Sequence, residues 1–116
     1  MQYLLLITYR PEDNTPEGTP EFDAEMKRWG ELNAEMHEAG VWVAASGLYE
    51  GATTVRAPQG DLVVTDGPYA ESKEVLFSFY ILDVEDLDAA TAWAAKTPAM
   101  KYGSVEIRPM DGLALA

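Results

Sequence analysis

Two stretches of the chain are apolar at both of their alternating sets of positions. From Gln2 to Tyr9 one set reads Tyr3, Leu5, Ile7 and Tyr9 and the other Leu4, Leu6 and Thr8; from Val75 to Asp83 the sets are Val75, Phe77, Phe79 and Ile81 against Leu76, Tyr80 and Leu82, with Ser78 the one small polar break. Strands of this kind need cover on both faces. Ser104 to Met110 alternates Val105 and Ile107 with Ser104, Glu106 and Arg108, the pattern of an edge strand with one wet face. Val41 to Gly47 supplies a further strand, and Thr53–Ala57 with Leu62–Thr65 flank Pro58-Gln59-Gly60 as a hairpin.

Between the strands the period changes to that of a helix. Phe22, Met26, Trp29, Leu32, Met36 and Ala39 gather on one stripe at 100° per residue, and Asp23, Lys27, Glu31, Glu35 and Glu38 lie away from it. Thr19 is placed to cap this helix, Pro20 sits where a missing N–H does no harm, and Gly40 is placed to end it. A second helix opens at the acidic run 83–88 with Asp86 as N-cap, buries Leu87, Ala90 and Ala94, and stops before Pro98.

The order is therefore β-α-β-(hairpin)-β-α-β, an α+β domain of ferredoxin-like type with an inserted hairpin, in which the first and third main strands occupy the sheet centre. Those are the two strands that are apolar on both sides. Two helices cover only one face of a four-stranded sheet, so the other face needs a second layer, and a second copy of the same sheet is the simplest one. A homodimer is the expectation.

With 116 residues, 47% of them apolar, the chain is expected to form one domain over 1–116 with a core of its own. No cysteine and a single histidine remove the ligands for structural zinc or iron–sulfur clusters and the thiols for disulfides, no cofactor or metal is expected, and the composition fits a reducing, cytoplasmic setting. The run from Met1 to Ile7 lacks the positive region of a secretory signal, is too short to span a bilayer, and reads as a strand. Twenty acidic against eight basic residues give a formal charge of −12, so the average surface repels nucleic acid and anionic membranes.

The run Val64-Thr65-Asp66-Gly67-Pro68-Tyr69-Ala70-Glu71-Ser72-Lys73-Glu74 resembles the signature V-T-D-G-P-F-A-E-[ST]-K-E of the DGPF subgroup of the YCII-like family, with Tyr69 in place of the usual Phe. The resemblance extends to Met1–Ile7, Ala39-Gly40-Val41, Gly47-Leu48 and Tyr102–Pro109. It implies a ferredoxin-like subunit that pairs into a dimeric α+β barrel. Better-studied YCII-like proteins carry a histidine and an aspartate proposed as an active-site pair, the histidine near the start of the first long helix. The histidine of this chain, His37, lies near that helix's end and does not inherit the role. The subgroup's frequent neighbours, sigma factors of the extracytoplasmic-function class, imply a sigma-factor partner.

Asp66-Gly67-Pro68 is turn chemistry, but Tyr69, Glu71, Lys73 and Glu74 follow at once and offer donors and acceptors to a cleft. Asn33 lies within the apolar stripe and His37 at its edge; as a pair they satisfy each other at the end of the core, and as a site His37 supplies an acid or base if a carboxylate lies within reach. Tyr9, Tyr80 and Tyr102 stand where core packing or a polar ligand would use them, and Ser46 and Ser104 lack the surroundings of a nucleophile. The ligand-binding candidates are Asn33, Asp66, Tyr69, Glu71, Lys73, Tyr102 and Ser104, and the catalytic ones His37, Asp66, Glu71 and Lys73. Two functions compete: a dimeric module binding a small polar metabolite or a basic protein, and a cofactor-free lyase or isomerase. Placement of the titratable candidates in a concave pocket would favour the enzyme; placement on open surface would favour the binding module.

Overall fold

The computed structural model describes residues 1–68 and 73–115. Strand β1 is Gln2–Tyr9, helix α1 Pro20–Glu38, β2 Trp42–Gly47, β3 Thr53–Arg56, β4 Val63–Asp66, β5 Val75–Asp83, α2 Leu87–Ala95, α3 Ala99–Tyr102 and β6 Gly103–Pro109. The main sheet is antiparallel with order β2-β5-β1-β6, the ferredoxin-like arrangement, and β3 pairs with β4 in a separate two-stranded sheet. The two doubly apolar strands, β1 and β5, lie side by side in the centre, as their patterning predicts.

Local chemistry sets the boundaries. Thr19 accepts a hydrogen bond from the Phe22 amide at 3.2 Å, and Pro20 opens α1. At the other end Gly40 adopts φ +73°, the Gly40 amide bonds to the His37 carbonyl and the Val41 amide to that of Met36, which together form a Schellman motif. Asp86 caps α2 by accepting from the Ala89 amide at 2.9 Å. The single turn α3 after Pro98 is an element the hydrophobic pattern does not announce.

Tyr3, Leu5 and Ile7 of β1 and Tyr80 and Leu82 of β5 form one buried cluster with Leu32 and Met36 of α1 and Ala90 and Ala94 of α2. The cluster takes Val84 from the turn before α2, while Leu87 stays exposed, contrary to its expected burial. Phe77 also departs from expectation. Strict alternation puts it with Phe79 and Ile81, but the β1–β5 register shifts between Ile7 and Thr8, and this bulge turns the Phe77 ring to the helix side against Trp29.

The opposite face of the sheet carries Leu4 opposite Ile81 and Leu6 opposite Phe79, flanked on β6 by Glu106 and Arg108, and among the described residues no helix covers it. The β3–β4 hairpin lies in the connection between β2 and β5 and exposes Val55, Leu62 and Val64. The radius of gyration is 16.2 Å, against about 13.4 Å for a compact domain of this length. The hairpin projects as an arm.

Candidate functional site

Four strand ends meet where β1 finishes, β5 and β6 begin and β2 runs out. Gly103 is what brings β6 so close. A Cβ there would overlap the carbonyl oxygen of Thr8 and lie 2.8 Å from Tyr9 Cα, so no larger residue fits. Its neighbours Tyr102 and Ser104 point to opposite sides of the sheet and build two distinct groups of side chains.

On the open side, Ser104 donates to Glu74 Oε2 at 2.6 Å and Thr8 donates to the same oxygen at 2.9 Å, with the two hydroxyl oxygens 3.0 Å apart. The bond from Ser104 and then that from Thr8 hold the Glu74 carboxyl below the usual carboxylate range against the opposing effect of burial, with the charge of Arg10 the weakest contribution. Glu74 thus stays an ionised acceptor at neutral pH.

On the helix side, Tyr9, Phe77 and Tyr102 floor a cleft of about 230 Å³ whose other wall is the loop after β1 and the first turns of α1, with Glu25 and Phe22 facing in. Tyr9 meets Phe77 edge-on at 5.5 Å between ring centroids, and Phe77 lies 6.2 Å from Tyr102. The Trp29 indole N–H donates to the Tyr102 hydroxyl at 3.0 Å, which leaves that phenol its own proton to donate. Burial pushes the Tyr102 pKa up, the Trp29 bond pulls against it, and the charge of Glu25 adds to the rise. The Glu25 side chain is 11% exposed and accepts from Thr15 at 2.8 Å. Phe22 and Met26, placed in the core by helical periodicity, instead line this cleft, and Met26 is 45% exposed. The start of α1 overhangs the cleft rather than the sheet core, and Ala39, the C-cap residue at the far end of the same stripe, is exposed.

The candidates named from sequence fall in different places. Tyr102 lines the cleft and Ser104 holds Glu74. Asn33 Oδ1 accepts from the Tyr80 hydroxyl at 2.6 Å and is half-buried. His37 is exposed and its ring stacks on Trp42 at 4.2 Å, and among the described residues no hydrogen bond or ion pair reaches its imidazole. Trp42, Tyr80, Trp29 and Phe77 form a row of rings between it and the cleft. Asp66 ends β4 opposite Thr53 and is exposed, as is Lys73. Tyr69 and Glu71 lie outside the described residues. The sequence reading missed Glu25, and it offered Glu74 to a cleft without its partners Thr8 and Ser104. The available signal was the polar pair Thr8 and Ser104, each breaking a strand's apolar run at mutually opposite positions.

Among the described residues no three His, Asp or Glu side chains converge as a metal-binding group, and no helix is long and apolar enough to cross a membrane. The family model for the YCII-related domain matches residues 1–111. The chain belongs to the YCII-related domain family. A relative of this YCII-related chain, an uncharacterised protein of Rhizobium meliloti (strain 1021), is 41% identical over 61 residues, a match covering 51% of this chain and 49% of the relative. The chain thus spans about half the length of the curated relative it matches. Among solved structures, 5-chloro-2-hydroxyhydroquinone dehydrochlorinase from Burkholderia phenoliruptrix AC1100, in complex with 2,5-dihydroxybenzoquinone, superposes with a TM-score of 0.49 at 15% identity, covering 96% of this chain and 94% of that one.

Proposed function

We propose that this YCII-related protein is a homodimeric small-ligand-binding module of regulatory type, with its ligand site in the aromatic cleft beside Tyr102. The observation that carries the reading is the separation of features: the cleft holds rings, carboxylates and a phenol donor, while His37, Asp66 and Lys73 stand on exposed surface away from it. A pocket without a poised acid–base pair binds better than it reacts. The test is a thermal-shift screen of polar metabolites on the intact chain, where a ligand at a hundredfold excess over its Kd adds about 2.7 kcal/mol. Met26→Trp fills the cleft from a half-exposed position, and hits must vanish in that variant. Hits that persist in it would remove the cleft as the site.

The dimer reading is supported by the face without a helix, where half-buried Leu4, Leu6 and Phe79 lie together beside buried Ile81, and by the projecting arm with its exposed Val55, Leu62 and Val64. A stable interface buries roughly 800 Å² per partner, about what half a small sheet offers. Packing two open faces as a dimeric α+β barrel leaves the cleft, on the helix side, accessible. Leu6→Glu is expected to yield a folded monomer in light scattering.

The motif from Val64 to Glu74 supports membership of the DGPF subgroup, and with it a cytoplasmic sigma factor as a basic partner for a surface of net charge −12. Salt-sensitive capture of the neighbouring sigma factor tests that partner; no capture at low ionic strength refutes it. A cofactor-free lyase or isomerase is favoured by one feature, the Tyr102 phenol beside Glu25, and turnover abolished by Tyr102→Phe would establish it over the binding reading.

A further inference from the structure

The cleft's lining is charged in one sense only. Glu17 and Glu25 face into it, and among the described residues none of its lining side chains is basic. Its remaining surface is dominated by Tyr9, Phe22, Phe77 and Tyr102, whose ring faces carry negative potential. An anionic ligand would meet carboxylates with no compensating cation in the lining, and a neutral apolar ligand would leave the carboxylates without a role. Rings combined with carboxylates suit a positive charge that is itself weakly hydrated.

We propose that the cleft is the binding site for a small organic cation, an alkylammonium group on a short apolar body. This rests on the cleft being the ligand site and names the class of ligand it takes. Glu25 is the anchor. Its Oε1 accepts from Thr15 at 2.8 Å, whereas among the described residues its Oε2 receives no hydrogen bond. The cation nearest Glu25 is Lys101, whose Nζ lies 3.6 Å from Oε1, beyond hydrogen-bond reach, on a side chain 71% exposed. Lys101 is therefore a loosely held competitor for the charge that the ligand brings. The net charge of −12 raises the local concentration of any cation around the molecule. A bare metal ion fits less well, because the lining offers rings in place of the ring of oxygens that hard cations require.

The probes are choline, its neutral isostere 3,3-dimethyl-1-butanol, and benzoate, titrated against the intact protein by calorimetry and by tryptophan fluorescence, to which Trp29, the donor to the cleft phenol, contributes. Choline is expected to bind once per chain and roughly tenfold more tightly than the isostere, the increment of a desolvated cation–ring contact together with a carboxylate. Glu25→Gln should weaken choline by at least about fivefold, Lys101→Met should strengthen it by removing the competitor, and Glu106→Gln, on the other face of the sheet, should change nothing. The opposite signs at positions 25 and 101 separate recognition of charge from damage to the fold, which circular dichroism of each variant checks. Equal binding of choline and the isostere, or a Glu25→Gln variant that binds choline as the parent does, overturns the cation while leaving the cleft as the ligand site, provided Met26→Trp abolishes the binding. Preferential binding of benzoate, or no choline binding, overturns it too. Choline binding that survives Met26→Trp overturns both readings.

Discussion

Replacing Gly103 with alanine is expected to destabilise the fold by about 3 kcal/mol or more. The added methyl would fall 2.6 Å from Thr8 C and 2.8 Å from Tyr9 Cα as well as onto the Thr8 oxygen, all of it backbone that no side-chain rotation can clear. The start of β6 must therefore separate from the end of β1. That separation removes the pairing of Tyr9 with Gly103 and of Thr8 with Ser104, and strains the bond from the Arg10 amide to the Tyr102 carbonyl at 2.8 Å. Three backbone hydrogen bonds at about 1 kcal/mol each set the estimate, and overpacking in cores costs about 1–3 kcal/mol by itself. For a domain of this size each kcal/mol lowers Tm by about 4 °C, so a fall of about 12 °C is expected in thermal melts followed by far-ultraviolet circular dichroism. Urea titration at constant m-value would show that the loss is in stability rather than compactness. A Tm within about 3 °C of the parent, well under the 4 °C that a single kcal/mol implies, would refute the close approach of the two strands.

Two further outcomes concern pH. Burial pushes the Tyr80 pKa up to about 12, with a smaller contribution from Tyr102, above the value of about 10 in an unfolded chain. The folded protein then holds this proton more tightly, so its contribution to stability is intact below pH 10 and is lost as pH rises toward 12; Tyr80→Phe should flatten this alkaline loss in urea melts. Glu74 shifts the other way. Its depressed folded pKa, due first to the Ser104 bond and then to Thr8, gives stability that is present above the ordinary carboxylate pKa and is lost as pH falls through the folded value. Ser104→Ala should therefore move the acid-unfolding midpoint to higher pH, and an unchanged midpoint would mean that the hydroxyl does not hold the carboxylate.

Elements with a strong period were legible in the residues. The stripe and caps of α1, the paired apolar sets of β1 and β5 and the half-wet alternation of β6 each report a local preference that the tertiary structure agrees with. Legibility failed where a long-range event overrode the local pattern. The face of Phe77 depends on a bulge against β1, visible only once the two strands are in register. Phe22 and Met26 carry the period of core residues, but the sheet ends beneath them and they roof a cleft. Glu25 had no sequence signal of its own, because one carboxylate among twenty acidic residues looks like surface until Thr15 and Tyr102 are brought beside it. The turn residues around Gly67 were readable as a turn; that the same segment delivers Glu74 to Thr8 and Ser104 was not, since those partners come from opposite ends of the chain.

The direction of the pKa shifts bears on whether this end of the sheet binds or reacts. Groups that transfer protons at neutral pH are shifted toward neutrality, carboxyls upward and phenols or amines downward, so that both protonation states are within reach. Here the resolved shifts run the other way. At this end the Glu74 carboxyl is lowered and the phenols of Tyr9 and Tyr102 are raised, and Glu35 and Tyr80, elsewhere in the fold, shift in the same senses. Each shift locks its group more firmly into the state it already holds: the acids as acceptors, the phenols as donors. A site of fixed donors and acceptors recognises a ligand by complementarity and gains nothing from cycling a proton, which supports the proposed binding reading. A turnover whose rate follows a bell-shaped pH profile centred near neutrality would contradict this, because it would require a pair of groups with pKa values bracketing pH 7 at the cleft.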